Sequence, residues 1–213
     1  MRDRYPGYDV LQKRQTPSWN EVTRRVIDRR LSLPREPKFF TEDEWLTLGA
    51  ICDRIVPQPM DRPPIPVAAL VDHKMSTNKT DGYRHHQLPR MQDAWRRGLH
   101  ALDQEARARY GGRFHLISVA EQNELLKKLQ QGELDDRAWD GMPSKVFFSQ
   151  RVLRDIVSAY YSHPISWSEI GFGGPASPRG YVRMGFDKRD PWEAAEAKPG
   201  HEDEARRKNR HVG

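Results

Sequence analysis

The chain has 213 residues, a length that suits one domain, or one domain with extended arms. Its single cysteine, Cys52, excludes an internal disulfide framework, a Cys-rich zinc site, a Cys-ligated iron–sulfur cluster and a c-type haem attachment motif in this chain. The net charge is +6, but residues 1–38 hold 10 Lys+Arg against 5 Asp+Glu, so the remainder is close to neutral. Because nucleic-acid and anionic-membrane binders usually carry their basic residues on a folded face, this distribution weakens both classes. No stretch of the sequence approaches the roughly 18 apolar residues of a membrane span.

Three capping-box patterns predict the starts of helices. In this pattern a Ser or Thr side chain and a Glu three residues later satisfy each other's backbone N–H groups. The patterns are Ser18–Glu21 before a short helix near 19–31, Thr41–Glu44 before a helix that ends at Pro57, and Ser118–Glu121 before a helix that ends at Gly132.

Apolar residues at helical spacing predict three further helices, near 67–75, 89–110 and 146–161. Gly111 is the predicted C-cap of the second, and Pro164 ends the third. About six helices and no convincing alternating strand predict an all-α fold in one compact domain.

Composition divides the chain into four segments. Residues 1–38 form a basic arm with a short helix, and residues 39–163 form the helical core. Residues 164–194 have too much glycine and proline for a helix but too many aromatic rings for a free linker, so we expect this tail to pack on the core or on a partner. Residues 195–213 are poor in apolar residues and mixed in charge, which predicts disorder.

No stretch of the sequence predicts a catalytic, cofactor or metal site in this chain. The letters of residues 171–176 match a dinucleotide fingerprint, but no strand precedes them and Pro175 and Pro178 lie where a helix should begin. The eight histidines show no metal-binding spacing. Cys52 lies on an apolar helical stripe, which indicates a small core residue rather than a nucleophile.

The aromatic residues fall into two groups. Trp45 and Trp95 lie on helical stripes and are predicted core residues, whereas rings on extended ends are candidates for a protein interface. His163, beside Pro164, favours a capping or interface role over that of a catalytic base. The predicted partner-interface residues are Tyr5, Tyr8, Trp19, His163, Trp167, Glu169, Phe172, Tyr181 and Trp192.

Several blocks of the sequence resemble the gluconate 2-dehydrogenase subunit 3 family. They are residues 39–57 (FFTEDEWLTLGAICDRIVP), 67–72 (VAALVD), 95–103 (WRRGLHALD), Phe114 and 167–175 (WSEIGFGGP). The resemblance covers about 39–185, and the order and spacing of the blocks make it fairly specific. It implies a small, mainly helical, non-catalytic subunit of a sugar or sugar-acid dehydrogenase.

In that family the large partner is an FAD-dependent oxidoreductase of the glucose-methanol-choline type, often with a cytochrome c subunit as electron acceptor. The resemblance implies that the large subunit carries the flavin, the catalytic histidines and any iron–sulfur cluster. The small subunit supports folding and, commonly, export. This sequence shows no secretory signal, so we expect a cytoplasmic complex or, alternatively, co-export to the periplasm with a partner that carries the signal.

The favoured interpretation is an accessory subunit whose arm and tail clasp the flavoprotein. Two alternatives stay open. In one, this chain also shapes the substrate entrance of the partner and contributes His163 or Glu169. In the other, more remote, it is a helical adaptor that binds nucleic acid through residues 1–38.

Overall fold

The computed structural model describes residues 3–60, 62–134, 136–180, 185–186 and 188–211. Over these residues the chain contains nine α-helices, two 3-10 helices and one π-helix, with one isolated β-bridge and no strand. The all-α prediction is confirmed. The α-helices are α1 (Glu21–Leu31), α2 (Glu42–Ile55), α3 (Val67–Ser76), α4 (Met91–Tyr110), α5 (Val119–Gln131), α6 (Ser144–Phe147), α7 (Arg154–Tyr161), α8 (Pro164–Glu169) and α9 (Glu202–Asn209); the 3-10 helices are Val10–Gln15 and Asp136–Trp139, and the π-helix is Phe148–Leu153.

Local start signals place α2 and α5 correctly. Thr41 Oγ1 accepts a hydrogen bond from the backbone N–H of Glu44, and the Glu44 side chain accepts one from the backbone N–H of Thr41. Ser118 and Glu121 form the same reciprocal pair at the start of α5. Both capping boxes are therefore confirmed, and Gly111 ends α4 in the predicted left-handed conformation.

The capping box predicted at Ser18 is wrong. The N-cap of α1 is Asn20, whose side-chain oxygen accepts from the backbone N–H of Thr23 at 2.9 Å. Ser18 is buried, because the neighbouring backbone at Trp19 forms a parallel bridge with Ser177. A long-range pairing thus moves the start of this helix by two residues.

The helix predicted over 146–161 is a composite of α6, the π-helix and α7, which follow one another without a break. A second difference lies beyond Pro164, where the sequence predicts no helix. The structure contains α8, which begins at Pro164. Proline suits the first position of a helix because its missing N–H would have no intrahelical partner there.

The chain folds into two compact units. The central unit is Pro34–Tyr160, and the terminal unit combines Met1–Leu33 with Tyr161–Gly213. The basic arm and the tail, which the sequence separates into different segments, therefore pack with each other.

In the central unit, α2 packs against α3, α4 and α5. Trp95 of α4 is fully buried, and the rings of Phe40 and Phe147 meet it edge-on at 6.2 and 5.6 Å. Gly98 makes room for Phe147, since a Cβ at this position would lie 2.1 Å from the ring. The predicted core position of Trp95 is confirmed.

Two other predictions concern α2. Cys52 is buried, as predicted, and burial raises the pKa of its thiol well above the ordinary value. This thiol is therefore a packing group and not a reactive thiolate. Trp45 is only half-buried, so it lies at the margin of the core.

The prediction of disorder from residue 195 onward is wrong, because this segment contains the helix α9. A small buried cluster in the terminal unit consists of Ala195, Ala197 and Ala205. The side chain of Asn209 is fully buried, accepts from the backbone N–H of Ala195 at 2.6 Å and donates to the carbonyl oxygen of Pro6 at 3.0 Å. The N-terminal arm therefore supplies part of the environment that orders α9.

Candidate partner-binding surface

Three of the aromatic residues predicted to hold a partner lie inside the terminal unit. Tyr8, Trp19 and Trp167 are buried and pack with Val10 and Ile27 in one apolar cluster. Large buried rings dominate the energy of a small core. In the chain by itself these three rings stabilise the unit that contains them.

Backbone carbonyl groups fix both buried indoles. Trp19 Nε1 donates to the carbonyl oxygen of Pro175 at 2.8 Å, and Trp167 Nε1 donates to that of Tyr161 at 2.7 Å. The guanidinium of Arg30 lies 5.7 Å from the centre of the Trp167 ring. Because each indole N–H already has its acceptor, neither ring is poised to leave the core for a partner.

Tyr5 and Phe172 lie at the edge of the same cluster. The half-buried ring of Tyr5 lies against Gly171, where a Cβ would come within 2.6 Å of ring atoms. Phe172 packs edge-on against Trp167, with ring centres 5.8 Å apart, and is 42% exposed. Phe172 therefore offers an accessible apolar ring.

The remaining predicted interface residues occupy different environments. Trp192 is half-buried, with the guanidinium carbon of Arg179 4.1 Å from its ring centre. Glu169 is exposed at the last position of α8. Tyr181 lies outside the described residues.

His163 is the N-cap of α8, which confirms its predicted capping role. Its Nδ1 accepts from the backbone N–H of Ile165 at 3.3 Å, and the side chain is buried. Of the two residues considered for a substrate entrance, Glu169 is thus the accessible one.

A buried amine, that of Lys13, contacts the Gly-rich stretch 171–174. Lys13 is fully buried, and its Nζ donates to the carbonyl oxygen of Gly173 at 3.3 Å. Burial, together with the positive charges of Arg179 and Arg189, lowers the pKa of Lys13 to about 8. Burial also raises the pKa of Tyr8 to about 12, and the hydroxyl of Tyr8 has no hydrogen-bond partner among the described residues.

The exposed face of α1 is the clearest accessible surface of the terminal unit. Val22, Arg25, Val26 and Arg29 occupy positions i, i+3, i+4 and i+7, and all four are exposed. Other residues of the helix hold it in place, because Ile27 enters the core and Arg30, one turn after Val26, donates to the carbonyl oxygen of Ser162 at 2.7 Å. We call these four exposed residues the docking face.

Sequence reasoning missed the docking face. The sequence predicts a helix near 19–31 but not which of its sides is exposed, and in the structure Ile27 is the buried residue of α1. The available signal was the pairing of each valine with an arginine three residues later, which gives one helical face both apolar and basic character. Other exposed apolar side chains of the same unit are Leu31, Tyr161, Ile170, Phe172 and Phe186.

The described residues contain neither a metal-binding cluster nor a membrane-spanning helix. No group of three His, Cys, Asp or Glu side chains in this part of the chain is placed to hold a metal ion. Among the described helices, none combines the length and apolar character needed to cross a membrane.

The fold and the accessible surfaces define an all-α protein with an exposed helix face that carries apolar and basic side chains. A sequence model described as "Gluconate 2-dehydrogenase subunit 3" matches residues 42–174. This match covers more than half of the chain, and the chain belongs to that family. It begins in α2 and ends just after α8, so α1 lies outside it. No curated protein and no solved structure matches the chain significantly.

Proposed function

We propose that this chain is the small, accessory subunit of a dehydrogenase complex, in which it stabilises, matures or escorts a large FAD-dependent subunit of the glucose-methanol-choline type. The observation that carries the proposal is membership of a family described as the third subunit of gluconate 2-dehydrogenase. A third subunit implies partners. In this proposal the flavin and the oxidation of a sugar, glycoside or sugar acid belong to the large subunit, with a cytochrome c subunit as a further electron acceptor.

The docking face supports a specific mode of contact with the large subunit. An amphipathic helix binds a partner by placing its apolar residues in a groove, and these residues recur at spacings such as i, i+4 and i+7 along the helix. Val22 and Val26 supply the apolar contacts, and Arg25 and Arg29 beside them favour carboxylates along the rim of that groove. We therefore expect the docking face to bind into an apolar groove on the flavoprotein, with acidic residues along the rim of that groove.

The loop after α8 supplies a second contact. Trp167 contacts Arg30 on one side and Phe172 on the other, and Arg30 lies one turn beyond Val26 on α1. The accessible ring of Phe172 is thus linked to the docking face through neighbouring side chains. We expect Phe172 to extend the same interface.

Copurification tests this arrangement. The tagged chain is co-expressed with the proposed large subunit, a glucose-methanol-choline-type flavoprotein from the same genome, either as the natural sequence or as Val22→Glu/Val26→Glu. We expect the natural sequence to retain the flavoprotein and the double variant to lose at least about nine-tenths of it, because two buried carboxylates in an apolar groove are expensive to desolvate.

Val119→Glu is the matched control. Val119 is 55% exposed near the start of α5, whereas Val22 is 59% exposed near the start of α1. Both changes should leave the melting temperature of the isolated chain almost unaltered, since exposed positions tolerate substitution. If the double variant retains the flavoprotein as well as Val119→Glu does, the docking face is not the interface. If the natural sequence retains no flavoprotein, the subunit proposal itself is wrong.

A further inference from the structure

The central unit contains a pocket of about 250 Å³ beside the loop that joins α3 to α4. Its lining combines apolar side chains, such as Leu88 and Met91, with polar and charged ones that include Asn78, Arg84 and Arg90. Since each water in the liquid occupies about 30 Å³, this space corresponds to about eight waters. A small metabolite fits such a volume, whereas pockets for drug-sized ligands start at about 300 Å³.

Two lining residues of the pocket, Asp81 and Arg151, belong to an ion-paired cluster. Asp81 accepts from Lys74 Nζ at 2.7 Å and from Arg151 Nη2 at 3.1 Å. The fully buried carboxylate of Asp155 accepts from Lys74 at 2.9 Å and from the indole N–H of Trp95 at 2.8 Å. This cluster holds charged groups in fixed positions, as a preorganised binding site requires.

The negative charge of Asp81 is therefore already compensated. Burial by itself raises the pKa of Asp81, but the hydrogen bonds from Lys74 and Arg151 outweigh it, and the pKa lies below the ordinary value. As a result Asp81 stays ionised and paired. It leaves no uncompensated negative charge at the pocket.

Two further cations lie at the pocket. Arg84 and Arg90 are both exposed lining residues, and neither guanidinium has a hydrogen-bond or ion-pair partner among the described residues. Guanidinium groups bind carboxylate and phosphate oxygens through charge-assisted, often bidentate, hydrogen bonds. The excess charge thus favours an anion.

The backbone around the pocket is irregular at two points. Arg151 belongs to the π-helix Phe148–Leu153, and such π-helical turns occur often at functional sites. Asn78 has a φ of +49°, in the left-handed region that few residues other than glycine adopt. Both irregular positions line the pocket.

We propose that this pocket binds a small hydroxylated anion through Arg84 and Arg90. The anionic group is a carboxylate or a phosphate, and Asn78, Thr80 and Tyr83 offer hydrogen bonds to hydroxyl groups. This site belongs to the chain itself and does not depend on the proposed partner.

Isothermal titration of the full-length chain with three probes tests the site: gluconate, glucose 6-phosphate and glucose, at equal ionic strength. We expect one or both anions to bind with one site per chain and glucose to bind at least about tenfold more weakly. Binding of gluconate alone identifies a carboxylate site, and binding of glucose 6-phosphate alone identifies a phosphate site. Binding of both identifies a general oxyanion site.

Variants locate the binding. Arg84→Gln and Arg90→Gln should each lower the affinity for the anion about tenfold, which is the effect of losing one charge-assisted hydrogen bond. Arg107→Gln is the matched control, since Arg107 is an exposed arginine of α4 outside the pocket. The proposal is overturned if neither anion binds at millimolar concentration, if glucose binds as well as the anions, or if the Arg107 variant weakens binding as much as the pocket variants do.

Discussion

Trp19 donates its indole N–H to the carbonyl oxygen of Pro175 and so joins two segments that are 156 residues apart in the sequence. The backbone strengthens the same junction, because Asn20 N donates to the carbonyl oxygen of Ser177 at 2.7 Å. The basic arm and the Gly-rich tail are thus parts of one folded unit.

Replacing Trp19 by Phe should lower the free energy of unfolding of the terminal unit by about 1–3 kcal/mol, because the carbonyl of Pro175 loses its donor inside the core. Trp192→Phe is the control. The ring of Trp192 is half-buried and contacts Arg179 outside the core. Replacing it should therefore lower the free energy of unfolding by no more than about 1 kcal/mol. Urea denaturation followed by circular dichroism measures both, and equal losses would contradict the role of the Trp19 hydrogen bond.

Gly171→Ala should destabilise the terminal unit more than Gly180→Ala does. Both glycines have a positive φ, +68° and +79°, so both variants carry a backbone cost of about 1–2 kcal/mol. At Gly171 the new Cβ also meets the ring of Tyr5, which adds about 1–3 kcal/mol, whereas the space at Gly180 is open. Amide hydrogen exchange within residues 3–33 reports the difference, and indistinguishable protection in the two variants would disprove the contact.

In the central unit, two helical glycines should respond to alanine in opposite directions. Gly98→Ala places a Cβ 2.1 Å from the ring of Phe147, and we expect a loss of about 1–3 kcal/mol or more. Gly49 lies in α2 with nothing within 4 Å of an added Cβ, so Gly49→Ala should gain about 0.5–1 kcal/mol from helix propensity. Calorimetric melting temperatures should therefore fall for the first variant and rise for the second. A rise for Gly98→Ala would show that Phe147 does not occupy this position.

Lys13 should make the stability of the terminal unit depend on pH. Its pKa is about 8 in the folded chain and 10.5 for an ordinary lysine, so between these values the unfolded state binds more protons. Stability therefore rises with pH across this window, by up to about 1.4 kcal/mol per pH unit. Below pH 8 the amine is protonated in both states and this contribution to the slope vanishes.

Lys13→Met separates this effect from other titrations. Tyr8, whose pKa is raised to about 12, opposes the trend above about pH 10, because the folded state then holds the extra proton. The difference in unfolding free energy between the natural chain and Lys13→Met removes that contribution. The unfolding free energy of the natural chain minus that of Lys13→Met should therefore increase as the pH rises from 8 to 10. A constant difference would contradict a buried, titrating amine.

The helices that the sequence predicts best are those whose signals are local. The Thr41–Glu44 box and the Gly111 C-cap need only residues within one turn, and both form as predicted. Ser18 carries the same local pattern as Thr41, but its neighbour Trp19 pairs with Ser177 and the helix starts later. Propensity is a weak prior that tertiary contacts override.

The order of α9 depends on contacts that no local pattern contains. Asn209 bonds to Pro6, a residue at the opposite end of the chain. One local signal was present, because α9 has Glu and Asp in its first turn and Arg and Lys in its last, which suits the helix dipole. Composition predicts disorder there because it registers the scarcity of apolar residues and not their placement at Ala195 and Ala205.

The candidate surface was predictable only in part. Aromatic rings on the two ends indicate burial correctly for Tyr8, Trp19 and Trp167 but not for Phe172, which is exposed. The sequence also does not say whether the covering surface belongs to this chain or to another. For Trp19 and Trp167 the cover is intramolecular. The exposure of Val22 and Val26 follows from which side of α1 faces the core, and that is decided by Ile27 and Arg30.

The visible absorption spectrum of material purified through a tag on this chain tests the subunit assignment most directly. We predict that co-expression with the proposed large subunit, a glucose-methanol-choline-type flavoprotein from the same genome, yields a yellow complex with flavin absorption bands and dye-reducing activity on sugars. The chain expressed alone should be colourless. A colourless preparation from the co-expressed sample, with this chain pure and monodisperse, would contradict the account.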